Sequence, residues 1–227
     1  MILGIDEAGR GPVMGPLVIC GILIEDEDEK KLKAINVKDS KLLTPDQREA
    51  MFERIVEIAK YKLVLVIEPN EIDDAVNRKN NLNLNWLEAV KTAQIVNDIC
   101  DFDKKLTPDK IIVDCPSTNV LAYASYLSKR IHNKKIRIVA EHKADLKYPV
   151  VSAASIIAKV TRDREIEKLK QEIGMDFGSG YPSDPYTKEF LKKNYNRFPN
   201  LFRKSWSTYK IAAGTKQAKT QKKLGEF

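Results

Sequence analysis

Short runs of β-branched and other apolar residues alternate along this chain with segments of helical length, and this alternation limits the possible folds. The strand-like runs lie at residues 2–8, 14–24, 62–67, 110–114 and 135–141. The segments with helical spacing of apolar residues lie at 44–60, 82–99, 119–131 and 152–173. Strands that alternate with helices predict an α/β fold in which helices cover both faces of a mixed β-sheet.

Individual residues indicate where these elements begin and end. Thr44 and Pro45 are a typical N-cap and first helical residue, and Gly174 is a typical helix stop. The acidic stretch 25–29 with the lysines after it is expected to be a solvated connection, and residues 70–80 are polar.

Glycine and proline recur between residues 177 and 186, so this stretch is expected to be a loop that precedes further helices. We predict a main domain at 1–185, a C-terminal helical extension at 186–213 and a flexible basic tail at 214–227.

The composition excludes several classes of protein. No uncharged apolar run approaches the ~20 residues that a membrane span requires, and the acidic N-terminus is not a signal peptide. The three cysteines form no CxxC pair, which is typical of reduced thiols in a cytoplasmic protein. Two histidines are too few for a histidine-rich metal site, so a metal would be bound by oxygen ligands. We expect a cytoplasmic monomer that does not bind membranes.

Four acidic residues end or follow three of the predicted strands: Asp6, Glu7, Asp114 and Asp145. Strand ends and their loops converge at one edge of an α/β sheet, so these carboxylates are expected to cluster. Clustered carboxylates repel one another, and divalent cations such as Mg²⁺ or Mn²⁺ remove that repulsion. Two such ions can activate a water and stabilise the leaving oxygen at a phosphodiester. Taken singly, each acid is more typical of a helix cap or of a partner for a surface lysine.

Asp6 and Glu7 present a geometric conflict, because adjacent residues of a strand point to opposite faces of the sheet. Both can reach one site only if the strand breaks at Glu7. The following Ala8-Gly9 pair would allow such a break.

The segment GIDEAGRGPVMGP contains an arginine flanked by glycines. Gly9 and Gly11 let the backbone approach a ligand closely, and Arg10 between them can bind phosphate. The segment is neither a GxGxxG motif nor a P-loop, since no GK[ST] follows it. A simple turn with an exposed arginine is the alternative.

Five motifs occur along this chain in the order GIDEAGRGP from Gly4, VKDSK at 37–41, EHKAD at 141–145, SAASIIAKVTRD at 152–163 and GSGYPSD at 178–184. Together they resemble the motifs of ribonuclease HII, the type 2 ribonuclease H, in its archaeal form. Each motif alone is weak, but five in the family's order are highly specific. The resemblance implies that residues 1–185 form a ribonuclease H-like catalytic domain, a mixed sheet with flanking helices, followed by the C-terminal helical extension.

The resemblance implies an endonuclease that hydrolyses the RNA strand of RNA–DNA hybrids and incises duplex DNA at embedded ribonucleotides. The products would have 5′-phosphate and 3′-hydroxyl ends, and two Mn²⁺ or Mg²⁺ ions would serve as cofactors. The catalytic and metal-binding acids would be Asp6, Glu7, Asp114 and Asp145. The flanks of Asp114, in KIIVDCPSTN, match the family less closely than the other motifs do.

The resemblance also implies residues that bind the substrate. The backbone of Gly9, Arg10 and Gly11 and the hydroxyl of Tyr181 would recognise the ribose 2′-hydroxyl, which distinguishes RNA from DNA. Phosphate contacts would come from Ser40, Lys41, Lys143, Ser152 and Ser155. By residue type alone, Tyr181 is more typical of a packed loop aromatic, and the two serines of 152–155 suit a helix N-cap equally well.

Three further basic residues lie within these motifs. Lys159 and Arg162 are expected to face solvent or the hybrid. His142 is expected to make a structural hydrogen bond rather than to transfer a proton, and nothing in the spacing supports a Ser/His/Asp triad.

The tail contributes much of the chain's basic charge. Its 14 residues hold four lysines and one glutamate, so they account for +3 of the net charge of +7. Within the tail, Gln221, Leu224 and Phe227 form the pattern Q-x-x-L-x-x-F, which resembles the peptide by which replication enzymes bind the sliding clamp. The alternative is an unstructured tail that adds nonspecific affinity for nucleic acid.

Two other functions stay open at this stage. Another carboxylate nuclease of the same fold, such as an exonuclease or a junction resolvase, would cut DNA that has no 2′-hydroxyl. A noncatalytic module that binds hybrids or a clamp is disfavoured by the four intact acids.

Overall fold

A five-stranded sheet forms the centre of the protein in the computed structural model, which describes residues 1–37 and 44–215. Its strands are β1 (Ile2–Ala8), β2 (Leu17–Ile24), β3 (Tyr61–Ile67), β4 (Lys110–Asp114) and β5 (Arg137–Glu141). The strand order is β3-β2-β1-β4-β5. β2 pairs antiparallel with β1 and β3, whereas β4 pairs parallel with β1 and β5. The predicted mixed sheet is confirmed.

Helices cover both faces of this sheet. Within the described residues they are α1 (Glu29–Ala34), α2 (Pro45–Ile58), α3 (Pro69–Val76), α4 (Leu84–Phe102), α5 (Val120–Arg130), α6 (Ala144–Lys147), α7 (Pro149–Ile173), α8 (Pro185–Asn194) and α9 (Ser207–Ala212). Short 3-10 turns lie at Asp26–Asp28, Lys79–Asn81 and Lys104–Leu106.

Two helices, α1 and α3, occupy segments in which no helix was predicted. α1 buries Leu32 completely, and α3 buries Ile72 and Ala75. Most residues of each segment are polar, but a few apolar residues lie on one narrow face, and such a face is sufficient for a short surface helix. Several boundaries also differ by two or three residues. β2 begins at Leu17 rather than at 14, α7 begins at Pro149 rather than at 152, β5 begins at Arg137 rather than at 135, and α4 spans Leu84–Phe102 rather than 82–99.

The start of α2 agrees with the prediction. Gln47 N donates to the Thr44 hydroxyl at 3.3 Å, and Thr44 N donates to the Gln47 side chain at 2.9 Å. These two bonds form a capping box, and Pro45 occupies the first helical turn. A cap of this type stabilises a helix by about 1 kcal/mol.

Alternate residues of β1 belong to different cores. Leu3 and Ile5 pack against residues of α3, α4 and α5, on what is called here the α4 face. Ile2 and Ala8 pack against residues of α1, α2 and α7, on what is called here the α7 face. The direction of a β1 side chain therefore decides which helices it meets.

Helix α7 lies directly against β1 at Gly4. A Cβ atom built on Gly4 would lie 2.5 Å from the backbone carbon and oxygen of Val150. Only glycine permits so close an approach of two backbones. The contact fixes the first turn of α7 on the strand, two residues before Asp6.

Residues of the predicted C-terminal extension pack on residues of the predicted main domain through a third apolar cluster. The main domain contributes Val13, Met14, Ile166 and Phe177, and the extension contributes Phe190, Leu191, Leu201 and Phe202. Met14 and Phe202 also form an isolated antiparallel bridge. The predicted boundary at residue 185 falls on the first residue of α8. Gly174, with a φ of 65°, is the C-cap of α7, which agrees with its predicted role as a helix stop.

None of the helices in the described residues is both long and apolar enough to span a membrane. The three cysteines are all unpaired thiols.

Candidate active site

Three aspartates meet at the carboxyl ends of the parallel strands. Asp6 lies near the end of β1, Asp114 is the last residue of β4, and Asp145 lies in the first turn of α6, just after β5. Ile5 and Val113 are partners across β1 and β4, so the aspartates that follow them are neighbours. The three residues can each offer one carboxylate oxygen within 4.8 Å of the others.

The electrostatics of this cluster favour a cation. Burial raises the pKa of Asp6 well above its ordinary value, the charge of Glu7 raises it further, and a hydrogen bond with Ser155 opposes both effects. Asp114 accepts a hydrogen bond of 3.0 Å from the amide of Ala144. Carboxylates this close repel one another, and a divalent ion that takes oxygen ligands relieves the repulsion. The aspartates therefore fit a divalent metal site.

Glu7 borders the same cavity from the other side of β1. The strand stays regular through Ala8, so the break considered from the sequence does not occur, and the expectation that Glu7 needs such a break to reach the site is wrong, because Glu7 lines the cavity without it. Glu7 shares the α4 face with Ile5, where burial and the charge of Glu88 raise the pKa of Glu7 well above its ordinary value. In the part of the chain that the structure describes, the close cluster consists of the three aspartates and does not include Glu7.

Arg10 is held by protein groups and does not extend freely into solvent. Its Nε lies 3.0 Å from Oε1 of the buried Glu88, its Nη1 donates to the Pro116 carbonyl at 3.2 Å, and its Nη2 donates to Asn85. Burial raises the pKa of Glu88 to about 7, although the charge of Arg10 opposes the shift. Arg10 is thus partly exposed, but its guanidinium is paired with protein groups, so its role in binding phosphate stays a prediction.

Gly9 is required by the backbone and by its surroundings. Its φ is +91°, and a Cβ atom built there would lie 2.4 Å from Cδ and Nε of Arg162. Arg162 is 1% exposed, donates to the Ser179 carbonyl at 3.3 Å and lies 5.2 Å from the centre of the Tyr181 ring. The prediction that Arg162 faces solvent or substrate is therefore wrong, because this guanidinium packs between Gly9 and Tyr181.

The aspartates, the Gly9–Gly11 loop and Tyr181 border one cavity of about 250 Å³. A Cβ atom built on Gly11 would lie 3.7 Å from Cε1 of Tyr181, so the loop and the phenol are close. Ser155 and Lys159 of α7 also line the cavity, and Lys159 forms an ion pair with Asp163. The cavity thus combines a metal-binding wall with a wall of glycine backbone and a phenol.

The model of a protein family described as Ribonuclease HII matches residues 3–209. This chain belongs to the ribonuclease HII family. Ribonuclease HII of Pyrococcus furiosus is 46% identical over 99% of this chain and 96% of its own length.

Solved structures of ribonuclease HII proteins share the fold. A crystal structure of ribonuclease H2 from Pyrococcus horikoshii superposes with a TM-score of 0.84 at 45% identity, over 94% of this chain and 97% of that one. Ribonuclease HII in a complex with PCNA from Archaeoglobus fulgidus superposes with a TM-score of 0.76 at 39% identity, over the full length of both chains.

Membership in the ribonuclease HII family defines the general activity. The chain is a type 2 ribonuclease H, a nuclease that hydrolyses the RNA of RNA–DNA hybrids. Enzymes of this family depend on divalent metal ions, and the buried aspartate cluster fits that requirement.

The remaining predicted residues lie in different environments. Ser155 lines the cavity, whereas Ser152 is 2% exposed within α7 and lies outside the cavity lining. Neither serine is a helix N-cap, because α7 begins at Pro149, so that alternative is wrong. Lys143 is exposed and precedes α6 with a left-handed φ of 56°. His142 Nδ1 lies 3.0 Å from the carbonyl oxygen of Cys115, which confirms the expected structural hydrogen bond.

Five predicted residues lie outside the described part of the chain: Ser40, Lys41, Gln221, Leu224 and Phe227. Their roles in binding phosphate and the clamp stay predictions.

The partners of Arg10 were not predicted from the sequence. Glu88 lies on the buried face of α4, four residues before Thr92 and seven before Ile95, which are both buried. An acid at that helical spacing signals a buried carboxylate that needs a cation, and this signal was available in the sequence.

Proposed function

We propose that this active site cleaves RNA–DNA hybrids endonucleolytically and also incises duplex DNA beside single embedded ribonucleotides, leaving 5′-phosphate and 3′-hydroxyl ends. The observation that supports the proposal is the shared cavity of the three aspartates, the Gly9–Gly11 loop and Tyr181. A metal site for phosphodiester chemistry then lies beside groups that can hydrogen-bond a 2′-hydroxyl.

Each part of the cavity has a proposed role. Asp6, Asp114 and Asp145 hold divalent metal, Mn²⁺ or Mg²⁺, and Glu7 completes the site from the α4 face. Two bound ions would supply an activated water and stabilise the leaving 3′-oxygen. The loop backbone and the Tyr181 hydroxyl bind the ribose, and Ser155 and Lys159 lie where they can contact a phosphate.

The direct test uses a labelled DNA duplex with one ribonucleotide, incubated with Mg²⁺, with Mn²⁺ or with EDTA, beside an all-DNA duplex of the same sequence. We expect metal-dependent incision next to the ribonucleotide and an intact DNA control. Equal cleavage of the DNA control would instead indicate a nuclease that ignores the 2′-hydroxyl.

The product ends test the chemistry separately. Products with a 3′-hydroxyl are extended by a DNA polymerase, and products with a 5′-phosphate are sealed by a ligase. Failure of both reactions would contradict the proposed direction of bond cleavage.

We further propose that the tail binds a sliding clamp. The Archaeoglobus fulgidus relative was solved in a complex with PCNA and matches this chain over its full length, which supports a clamp as partner. The proposed anchors are Gln221, Leu224 and Phe227, and the enzyme is proposed to act as a monomer.

Light scattering of the full chain, alone and mixed with the clamp, tests both proposals. We expect a mass of one chain, 25.8 kDa, for the enzyme alone and a larger complex with the clamp. Leu224→Ala with Phe227→Ala should abolish the complex and leave incision unchanged. A double substitution of Lys222 and Lys223 to alanine, which keeps the anchors, is the control for nonspecific charge.

A further inference from the structure

The C-terminal extension reaches the Gly9–Gly11 loop through one buried arginine. Arg203 N donates to the Val13 carbonyl at 2.8 Å, Arg203 Nε donates to the Gly15 carbonyl at 3.1 Å, and Arg203 Nη1 donates to the Arg10 carbonyl at 3.1 Å. The Arg203 side chain is fully buried. One residue thus fixes three carbonyl groups of the loop that follows β1.

Two more hydrogen bonds connect the same regions. Trp206 Nε1 donates to the Gly11 carbonyl at 3.1 Å, and Gly15 N donates to the Leu201 carbonyl at 3.0 Å. The Arg203 guanidinium also lies 5.1 Å from the centre of the Trp206 ring. The segment 201–206 therefore binds the loop at several points along its length.

Hydrogen bonds with α3 in turn fix the segment 201–206. The buried Asp73 accepts hydrogen bonds from Lys204 N at 2.7 Å and from Ser205 N at 2.9 Å, and it also accepts one from the Ser205 hydroxyl. Hydrogen bonds to an ionised carboxylate are stronger than those between neutral groups. The hydrogen bonds with Asp73 thus hold the segment 201–206 in a fixed position.

The carbonyl bonds decide where the loop's amide groups lie. The Arg10 carbonyl and the Gly11 N–H belong to one planar trans peptide, so they point in opposite directions. Fixing the carbonyl with Arg203 therefore fixes the direction of the Gly11 N–H. Among residues 1–37 and 44–215, no protein acceptor pairs with the amide of Arg10 or Gly11. Within those residues, no acceptor competes with a ligand for these two amides.

The Arg10 side chain is not free to bind a ligand in place of the loop's backbone amides. Its guanidinium already binds Glu88, Asn85 and the Pro116 carbonyl. Recognition by this loop must then come mainly from its peptide groups, whose orientation the segment 201–206 controls.

We infer that Arg203 and Trp206 are positioning residues for ribonucleotide selection, which hold the loop so that its amides meet the ribose beside the aspartates. The inference rests on the proposed function. Misplacement of a binding group by about 1 Å can lower a rate by about 100-fold, so a small movement of the loop is measurable.

The test compares Trp206→Phe, Arg203→Lys and Tyr209→Phe on a duplex with one ribonucleotide. Trp206→Phe removes one donor and keeps an aromatic ring, and we expect kcat to fall about 3- to 10-fold with KM within about twofold. Arg203→Lys has a single amino group, which cannot donate to both the Gly15 and the Arg10 carbonyl as the guanidinium does, and we expect kcat to fall about 10- to 100-fold.

Tyr209→Phe is the matched control. It removes the hydrogen bond from the Tyr209 hydroxyl to the Tyr195 carbonyl, at 3.2 Å, within the same extension. We expect its melting temperature to fall about as much as that of Trp206→Phe, while its kcat stays within about twofold of the wild type. Equal kinetics for Trp206→Phe and Tyr209→Phe would overturn the inference.

Amide hydrogen exchange separates this inference from the proposed function. The peptide that covers residues 9–15 should exchange faster in Trp206→Phe and Arg203→Lys than in the wild type and in Tyr209→Phe. If the wild type does not incise at a ribonucleotide, the proposed function fails, and this exchange comparison still tests the support. Unchanged exchange in both variants would show that the segment does not position the loop.

Discussion

The aspartate cluster and the Gly9–Gly11 loop border the same cavity, but the chain builds them in different ways. The aspartates are placed by strand ends and one helical turn, which follow from local sequence. The loop is placed by hydrogen bonds from residues as far as 195 positions away, such as the bond from Trp206 to Gly11. One wall of the site depends on the sheet and the other on the C-terminal extension.

Substitutions in the two regions should therefore have different effects, because charge repulsion dominates in the aspartate cluster and close packing dominates in the loop. In the cluster, the fold holds like charges together against their repulsion, so a substitution there should change chemistry and leave the fold intact. In the loop, glycine backbone and buried cations fill the space, so a substitution there should change stability and selectivity together. Four variants test this contrast.

Asp6→Asn should give the largest effect. Loss of one carboxylate from the cluster weakens metal-assisted stabilisation by several kcal/mol, so we expect hybrid cleavage to fall at least about 1000-fold.

The same substitution should also change stability. Burial raises the pKa of Asp6, so the contribution of Asp6 to the stability of the fold is full below its ordinary pKa of 3.8 and is lost as the pH rises through the pKa of the folded state. Asparagine stays uncharged at every pH, so the Asp6→Asn variant does not lose this stability as the pH rises. The melting temperature in EDTA at pH 8 should therefore rise, by about 2–4 °C per kcal/mol of relieved repulsion.

Asp101→Asn is the control, because it removes an exposed negative charge outside the site. It should leave both activity and melting temperature close to the wild type. Added Mn²⁺ should raise the melting temperature of the wild type and of Asp101→Asn more than that of Asp6→Asn. A less stable Asp6→Asn protein in EDTA would show that repulsion is not the dominant effect.

Gly9→Ala should damage fold and function together. The positive φ and the contact with Arg162 at 2.4 Å both oppose a Cβ atom, so we expect a loss of about 2–4 kcal/mol in the free energy of unfolding. Displacement of the loop should also lower the rate at a single ribonucleotide by about 100-fold. Chemical denaturation and steady-state kinetics measure the two effects.

Gly174→Ala separates backbone strain from crowding. Gly174 has a φ of +65°, but open space surrounds the position of its Cβ atom. We expect a loss of about 1 kcal/mol and wild-type kinetics. Equal losses in the free energy of unfolding for Gly9→Ala and Gly174→Ala would mean that Arg162 moves aside at no cost.

Glu88→Gln tests the buried partner of Arg10 through its pH dependence. Burial raises the pKa of Glu88 from 4.5 to about 7, so the stability contribution of Glu88 is full below pH 4.5 and is lost as pH rises through about 7. The stability of the wild type relative to Glu88→Gln should therefore fall between pH 5 and pH 8, by roughly 2–3 kcal/mol. Denaturation at four pH values measures this difference. A difference that does not change with pH would mean that Arg10 keeps Glu88 ionised throughout.

The same contrast explains what could be predicted from the sequence. The alternation of strands and helices gave the mixed sheet, and the acids at strand ends indicated the aspartate cluster. The helices α1 and α3 were missed because one or two buried apolar residues, such as Leu32, are a weak periodic signal. The regular strand at Glu7 follows from its pairing with β2, which depends on a distant part of the chain.

The supports of the loop could not be predicted for a different reason. Arg203 and Trp206 donate to backbone carbonyls, and every residue has a carbonyl, so the sequence does not mark the acceptor. Glu88 differs in this respect, because an acid on the buried face of a helix is visible from its spacing.

Tyr181→Phe should give the smallest effect and the finest test of the loop wall. It removes one hydroxyl and keeps the ring beside Arg162, so the melting temperature should stay within about 2 °C of the wild type. Loss of one hydrogen bond to the ribose should lower kcat/KM at a single ribonucleotide about 3- to 10-fold. Tyr186→Phe, at an exposed tyrosine of α8, is the control and should have no effect. No loss in Tyr181→Phe would assign ribose recognition to the loop backbone alone, whereas a loss above 100-fold would mean that the phenol takes part in the reaction itself.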